Sequence, residues 1–201
     1  MSIIPDKPPF KLLDILYKKE FILFVVLVSI LIINSNISPY FLDLYNLIDS
    51  TFLFSEKAII ALTMTFVIIA RQIDLSVASI IAVSSVVLGY TTSLGYDTWL
   101  VLLLTLLSGA LCGAFNGAII TKFAIPSIIV TIGTMSLFRG LAYSFLEDSY
   151  YNKFPKLVGK LGGGYLYGYI PYAFLTFILL AFVFAFILHK TSVGKKIYSI
   201  G

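Results

Sequence analysis

The chain has 201 residues, a formal charge of +4, 59% hydrophobic and only 12% charged side chains, and a mean hydropathy of +1.00. Soluble domains run near a quarter charged; half that share cannot cover a surface facing water, so a soluble domain is excluded. The positive charge lies in lysines that flank apolar runs without interleaved aromatics, which argues against nucleic acid, and the lone Cys112 excludes a disulfide framework or a cysteine-built metal site.

Length is therefore better counted in membrane spans, each needing about 20 residues. A first apolar segment, Phe21 to Ile33, follows a head bearing Lys7, Lys11, Lys18 and Lys19. It has the length of a signal-peptide core, but no small-residue cleavage site follows, so a retained span is expected, ending by Pro39. The second segment runs from Phe52 to Ala70 and the third from Leu75 to Tyr90. As one helix, Phe52 to Tyr90 would reach roughly 58 Å, against a hydrocarbon core of about 30 Å. Two short spans fit better, and short or interrupted spans are expected of discontinuous helices lining a site. The fourth segment, Trp99 to Ile120, carries no charge; the fifth, Pro126 to Leu146, opens with proline at a favoured first-turn position; the sixth runs from Ile170 to Leu188.

The expectation is an all-α, polytopic integral membrane protein of about six transmembrane helices, with a broken or short pair around residues 71–76. It divides into a cytoplasmic segment (1–20), a transmembrane part (21–188) and a cytoplasmic tail (189–201). With the N-terminus in the cytoplasm and the spans alternating, the inside loops hold Lys7, Lys11, Lys18, Lys19, Arg71, Lys122, Lys190, Lys195 and Lys196. The outside loops hold the smaller set of Lys57, Lys153, Lys156 and Lys160, which obeys the positive-inside rule and places both termini in the cytoplasm. The outside loop Glu147 to Tyr169, rich in glycine and tyrosine, fits an aromatic belt.

The break itself, Arg71 to Ser79, puts an arginine, an aspartate and serines between apolar runs. Asp74, ahead of Leu75 and Ser76, can cap the third helix by accepting backbone N–H bonds. That suits, first, a cytoplasmic turn with a good cap; the sharper alternative is a half-buried break whose helix end points at a substrate path. On the fourth segment Gly109, Gly113 and Gly117 form overlapping GxxxG repeats, a smooth face for close helix packing. Asn116 stands beside it, as packing glue or facing a pathway. Thr131 and Thr134 share one face of the fifth segment, suited either to a polyhydroxylated substrate or to bonding back onto the helix. Arg139, farther along, reads as an interface anchor, and His189 as an interfacial residue at the end of the sixth. No HExxH or GxSxG is present, and Gly162 to Gly164 lacks the Lys-Ser/Thr of a phosphate loop. No catalytic residue, metal site or cofactor is therefore assigned, and any ATP hydrolysis belongs to a partner.

Three stretches together resemble one family. IDLSVAS (Ile73 to Ser79) resembles the IDLSVGS segment of ribose-type sugar permeases of ATP-binding-cassette importers, with Ala78 where many members have glycine. GAFNG (Gly113 to Gly117) and IPSIIVTIGTMSLFRG (Ile125 to Gly140) resemble that family's central block. Thr191 to Gly201 resembles the start of its cytoplasmic coupling loop, with Lys195 for the usual arginine and Ser199 for alanine. The resemblance, over Ala58 to Gly201, implies a bacterial inner-membrane permease of the ribose, rhamnose and autoinducer-2 type. Its partners would be cytoplasmic cassette ATPases, a second permease copy or paralogue, a periplasmic sugar-binding protein and lipid. It puts Asp74, Ser76, Asn116, Thr131 and Thr134 on the substrate path. Gly194, Lys195, Lys196 and Gly201 would lie at the ATPase contact. Family members continue past this loop, so a truncated or split product, or a partner supplying the other half, is expected. The competing readings are an ion- or proton-coupled carrier, for which only Asp74 and Arg139 are candidate path charges, and a non-transporting membrane protein.

Overall fold

A computed structural model describes residues 19–146 and 150–201. The lysines at 7, 11 and 18, most of the expected 1–20 segment, and Glu147 lie outside the described residues. Eight helices and one two-residue hairpin follow: α1 (Lys19–Ile37), α2 (Leu44–Ile69), α3 (Val77–Ser93), α4 (Thr98–Phe123), α5 (Ser127–Leu146), α6 (Lys156–Gly163), β1 (Tyr165–Leu166), β2 (Ile170–Pro171), α7 (Tyr172–Lys190) and α8 (Ser192–Ile200). Five of them, α1, α2, α4, α5 and α7, are long and apolar enough to cross a membrane, and α3 is a shorter apolar helix of 17 residues. The protein is an all-α polytopic membrane protein. All six expected segments are helices, and the break falls between the second and third.

The chain forms two compact units, one up to Ser50 and one from Thr51. In the first unit α1 buries none of its residues. Its polar groups are satisfied by the helix itself: Ser29 Oγ donates to Val25 O at 2.8 Å, Asn34 Nδ2 to Ile30 O at 2.8 Å and Asn36 Nδ2 to Ile32 O at 2.8 Å. A lipid-facing helix needs this, because hydrocarbon offers no other partner. It also explains why α1 continues through the polar Asn34–Asn36 stretch, four residues past the expected Ile33. Asp43 then caps α2, its Oδ2 accepting from Tyr45 N at 3.1 Å and Asn46 N at 3.3 Å. That cap starts α2 at Leu44, well before the apolar run at Phe52.

In the second unit α3, α4 and α5 pack on one another. The buried positions of α5 are Ser127, Val130, Thr131, Thr134, Phe138 and Ala142, a spacing that lines one helix face. By contrast α4 buries only Val101 and Asn116, and Leu103, Leu106, Leu107 and Leu111 stay exposed. Such an apolar surface is ordinary against lipid and untenable against water. Edge-on aromatic pairs tie α2 to α7: Phe54–Phe177 with centroids 6.0 Å apart and Phe66–Phe184 at 5.3 Å.

Three helix ends set the corners. Asp97 caps α4, accepting from Trp99 N at 3.0 Å. At the other end Ala124 is left-handed (φ 52°), and Pro126 lies one residue before α5 rather than inside its first turn; its carbonyl accepts from Ile129 N at 3.0 Å. α2 closes in a Schellman pattern, Gln72 N donating to Val67 O at 3.0 Å and Arg71 N to Ile68 O at 2.9 Å, with Arg71 at φ 55°. Glycine normally holds that position, and a left-handed side-chain-bearing residue costs about 1–2 kcal/mol. Arg71→Gly is therefore expected to raise unfolding stability in detergent by about 1 kcal/mol; an unchanged or lower midpoint would contradict this account of the corner.

The expected loop of residues 147–169 is not wholly irregular. It contains α6 and leads into an antiparallel pair, Tyr165 opposite Pro171 and Leu166 opposite Ile170. Tyr167 and Gly168 turn it with φ 52° and 79°, as a primed hairpin turn requires. The pair moves the start of the last span from Ile170 to Tyr172. The expected cytoplasmic tail is also helical, as α8.

Candidate functional site

Between α2 and α3 the backbone from Gln72 to Ser76 is not helical. Its polar groups cannot find partners within a helix, so neighbouring helices must supply them. Ile73 N donates to Ser127 Oγ at 3.1 Å, and Ile73 O accepts from Thr131 Oγ1 at 3.3 Å. Two side chains on the first turns of α5 thus grip one residue of the unwound strand.

Farther along, Asp74 Oδ1 accepts from Ser76 N at 2.8 Å and from Ser76 Oγ at 2.6 Å. This is an Asx turn leading into α3. The helix begins at Val77, with Ser76 in the cap position and no side-chain cap bond. Asp74 therefore accepts a backbone N–H at the start of α3, as expected, although the cap position itself is held by Ser76. Asn116 of α4 completes the chain, its Nδ2 donating to Ser76 Oγ at 2.8 Å.

Ser76 is 0% exposed, Asn116 4% and Thr131 1%, whereas Asp74 is half-buried. Asn116 Oδ1 and Ser79 Oγ are buried without a hydrogen-bond partner among the described residues. Thr134 is buried one turn beyond Thr131 and donates to Thr131 O at 3.5 Å. Asp74 also borders an open groove of about 340 Å³ between α2 and α3, lined by Ile60, Met64, Leu75, Val77, Ala78 and Ile81. Asp74 is the one charged side chain in that lining. Ala78, where glycine was noted as usual, lies in the same wall.

The structure thus gathers Asp74, Ser76, Asn116 and Thr131 around one unwound segment, with Thr134 adjoining. Ser127 belongs to the same cluster, and Ser79 is buried on α3 with its backbone N donating to Ser76 O at 2.9 Å; neither is assigned a role from sequence. Ser127 carried a signal, a hydroxyl directly after Pro126 at a helix start, but its partner lies 54 residues away.

The glycines of α4 divide. A side chain at Gly109 would press on Ser84 Oγ of α3 at 3.2 Å, whereas Gly113 and Gly117 have nothing within 4 Å. Of the three, only Gly109 serves close packing among the described residues. Arg139 is exposed on α5. His189 lies in the last turn of α7, its Nδ1 2.9 Å from Ala185 O.

At the tail, Thr191 caps α8 by accepting from Gly194 N at 3.4 Å. Gly194 is buried where the chain turns out of α7, so tightly that any Cβ would overlap the Leu188 carbonyl. Lys195 and Lys196 are exposed. Gly201 rests on the Ile69 carbonyl at the end of α2, again with no room for a Cβ. The tail thereby meets the residues that precede the break.

Comparison with known proteins covers most of this architecture. Residues 46–201 match the family model described as branched-chain amino acid transport system / permease component. The autoinducer 2 import system permease protein of Escherichia coli O9:H4 (strain HS) is 35% identical over 143 residues, 71% of this chain and 42% of that one. Its counterpart in Photorhabdus laumondii is 33% identical over 178 residues, 87% of this chain and 53% of the relative. The ribose import permease protein of Haemophilus influenzae is 32% identical over 182 residues, 89% of this chain and 56% of the relative. The chain thus spans about half the length of the curated relatives it matches. No solved structure matches it. With the break, the α4–α5 block and the tail all inside the matched range, the chain belongs to the permease-component family of branched-chain amino acid transport systems.

Proposed function

We propose that the chain forms part of the membrane-spanning subunit of an ATP-binding-cassette importer that moves a sugar or sugar-like solute across a bacterial inner membrane. The observation that carries this reading is the polar cluster at the break. An unwound segment is held by Asn116, Ser127 and Thr131, and presents the Asp74 carboxylate to a groove about 340 Å³ in volume. That size falls within the range of small-ligand sites, and a carboxylate is a strong acceptor for substrate hydroxyls. The names of the relatives, autoinducer 2 and ribose import permeases, support the substrate class.

The partners follow from the same reading. Cassette ATPases would engage α8 through Gly194, Lys195, Lys196 and Gly201. A second permease copy or paralogue would close the path, and a periplasmic binding protein would deliver the solute. Both termini then face the cytoplasm, in agreement with the lysine distribution. The protein would perform no chemistry itself; it would alternate between inward- and outward-open states.

Asp74→Ala in the assembled importer tests this. Solute uptake should fall about tenfold or more, the equivalent of one charge-assisted hydrogen bond, at unchanged membrane abundance. Normal uptake would remove Asp74 from the path. Uptake that survives ATP depletion and stops when the proton gradient collapses would replace the cassette reading with that of a coupled carrier.

A further inference from the structure

The segment between α5 and α7 carries a surface that the transport reading does not use. From Tyr150 to Tyr172 the sequence has three lysines, Lys153, Lys156 and Lys160, and no acidic residue. In α6 the lysines at 156 and 160 form one row and Leu157 and Leu161 form the row beside it, each pair one turn apart. Phe154 lies just ahead of the helix, before the Pro155 cap. Phe154 is 45% exposed, Leu157 37% and Leu161 44%.

The position of α6 is fixed by the start of the last span. Tyr172 N donates to Gly164 O at 3.0 Å, and Lys160 Nζ lies 5.3 Å from the centre of the Tyr172 ring. The helix is thereby held where α7 enters the membrane. It cannot itself span, having only eight residues. Tyr167 and Tyr169, in the turn that follows, are exposed, and amphipathic aromatic rings of this kind favour the membrane–water interface.

We infer that α6 and its flanks form a membrane-surface element that binds anionic lipid headgroups. Phe154, Leu157 and Leu161 dip into the acyl boundary, and Lys153, Lys156 and Lys160 meet the phosphates. Charge complementarity selects this occupant. A basic row beside an apolar row, with no acid from Tyr150 to Tyr172, matches an anionic bilayer surface. A second copy meeting this face with its own α6 would bring the same three lysines and, from Tyr150 to Tyr172, no carboxylate to meet them.

The test uses the whole chain in nanodiscs, with the single Trp99 changed to phenylalanine and a reporter introduced as Leu157→Trp or Leu161→Trp. Expected is strong quenching of both reporters by lipids brominated near the headgroup, and little quenching by aqueous iodide. Retention of phosphatidylglycerol over phosphatidylcholine, read by native mass spectrometry, should fall roughly fivefold for each lysine changed to glutamine. Iodide quenching without bromolipid quenching would overturn the inference. So would protection that arises only at concentrations where the chain self-associates, which would assign the face to a second copy. Equal retention of the two lipids by the parent chain would also end it.

Discussion

Ser76→Ala is expected to destabilise the helical core by about 2 kcal/mol. The substitution removes the hydroxyl that donates to Asp74 Oδ1 and accepts from Asn116 Nδ2. It strands a buried amide whose Oδ1 already has no partner among the described residues. An orphaned buried polar group costs about 1–3 kcal/mol, although hydrogen bonds between membrane helices average nearer 0.6 kcal/mol. The two figures make a double-mutant cycle decisive. Asn116→Ala alone should cost about 1 kcal/mol, and Ser76→Ala with Asn116→Ala together should cost less than the sum. Unfolding in mixed micelles reads all three. Strict additivity would mean that Ser76 and Asn116 do not act as one unit.

Gly194→Val is expected to have the larger effect on the tail. A Cβ at 194 would fall on the carbonyl of Leu188 and crowd that of Ile187. Those are backbone atoms of the last turns of α7 and cannot rotate away. Overpacking of this kind costs about 1–3 kcal/mol or more, enough to undo a nine-residue helix whose first turn is capped by Thr191. The readout is protease accessibility of residues 192–201 in an inserted chain. The variant should become cleavable while the spans stay protected, and Ser199→Ala, on the exposed side of α8, should leave the tail resistant. A valine variant as resistant as the parent would show that α8 does not depend on this corner. On the transport reading, the same variant should also uncouple ATP hydrolysis from uptake.

Hydropathy made the helices legible. Six apolar runs became six helices because a backbone in lipid must satisfy its own hydrogen bonds, and a helix does so locally. The ends were less legible, for local reasons. The amides of Asn34 and Asn36 fold back on carbonyls four residues earlier, so a polar stretch continued a helix that it would be expected to end. Asp43 started α2 through a cap several residues before its apolar run.

At the break, the residue types pointed to the right place, because charge between apolar runs is costly and must be accommodated. What holds the break lay beyond local reading. Asn116 and Ser127 reach it across 40 and 54 residues of sequence, and only the packing of α3, α4 and α5 brings them together. The glycine repeat shows the opposite limit. Its spacing describes a smooth face, but not whether a helix of the same chain lies against it, and beyond Gly109 none does among the described residues.

The seat of Gly201 on the Ile69 carbonyl has a mechanical meaning. Ile69 stands two positions before Arg71, whose left-handed backbone starts the unwound strand. A force applied to α8 would need to pass through no long lever. It would arrive, within one van der Waals contact, at the start of the unwound strand that carries Asp74.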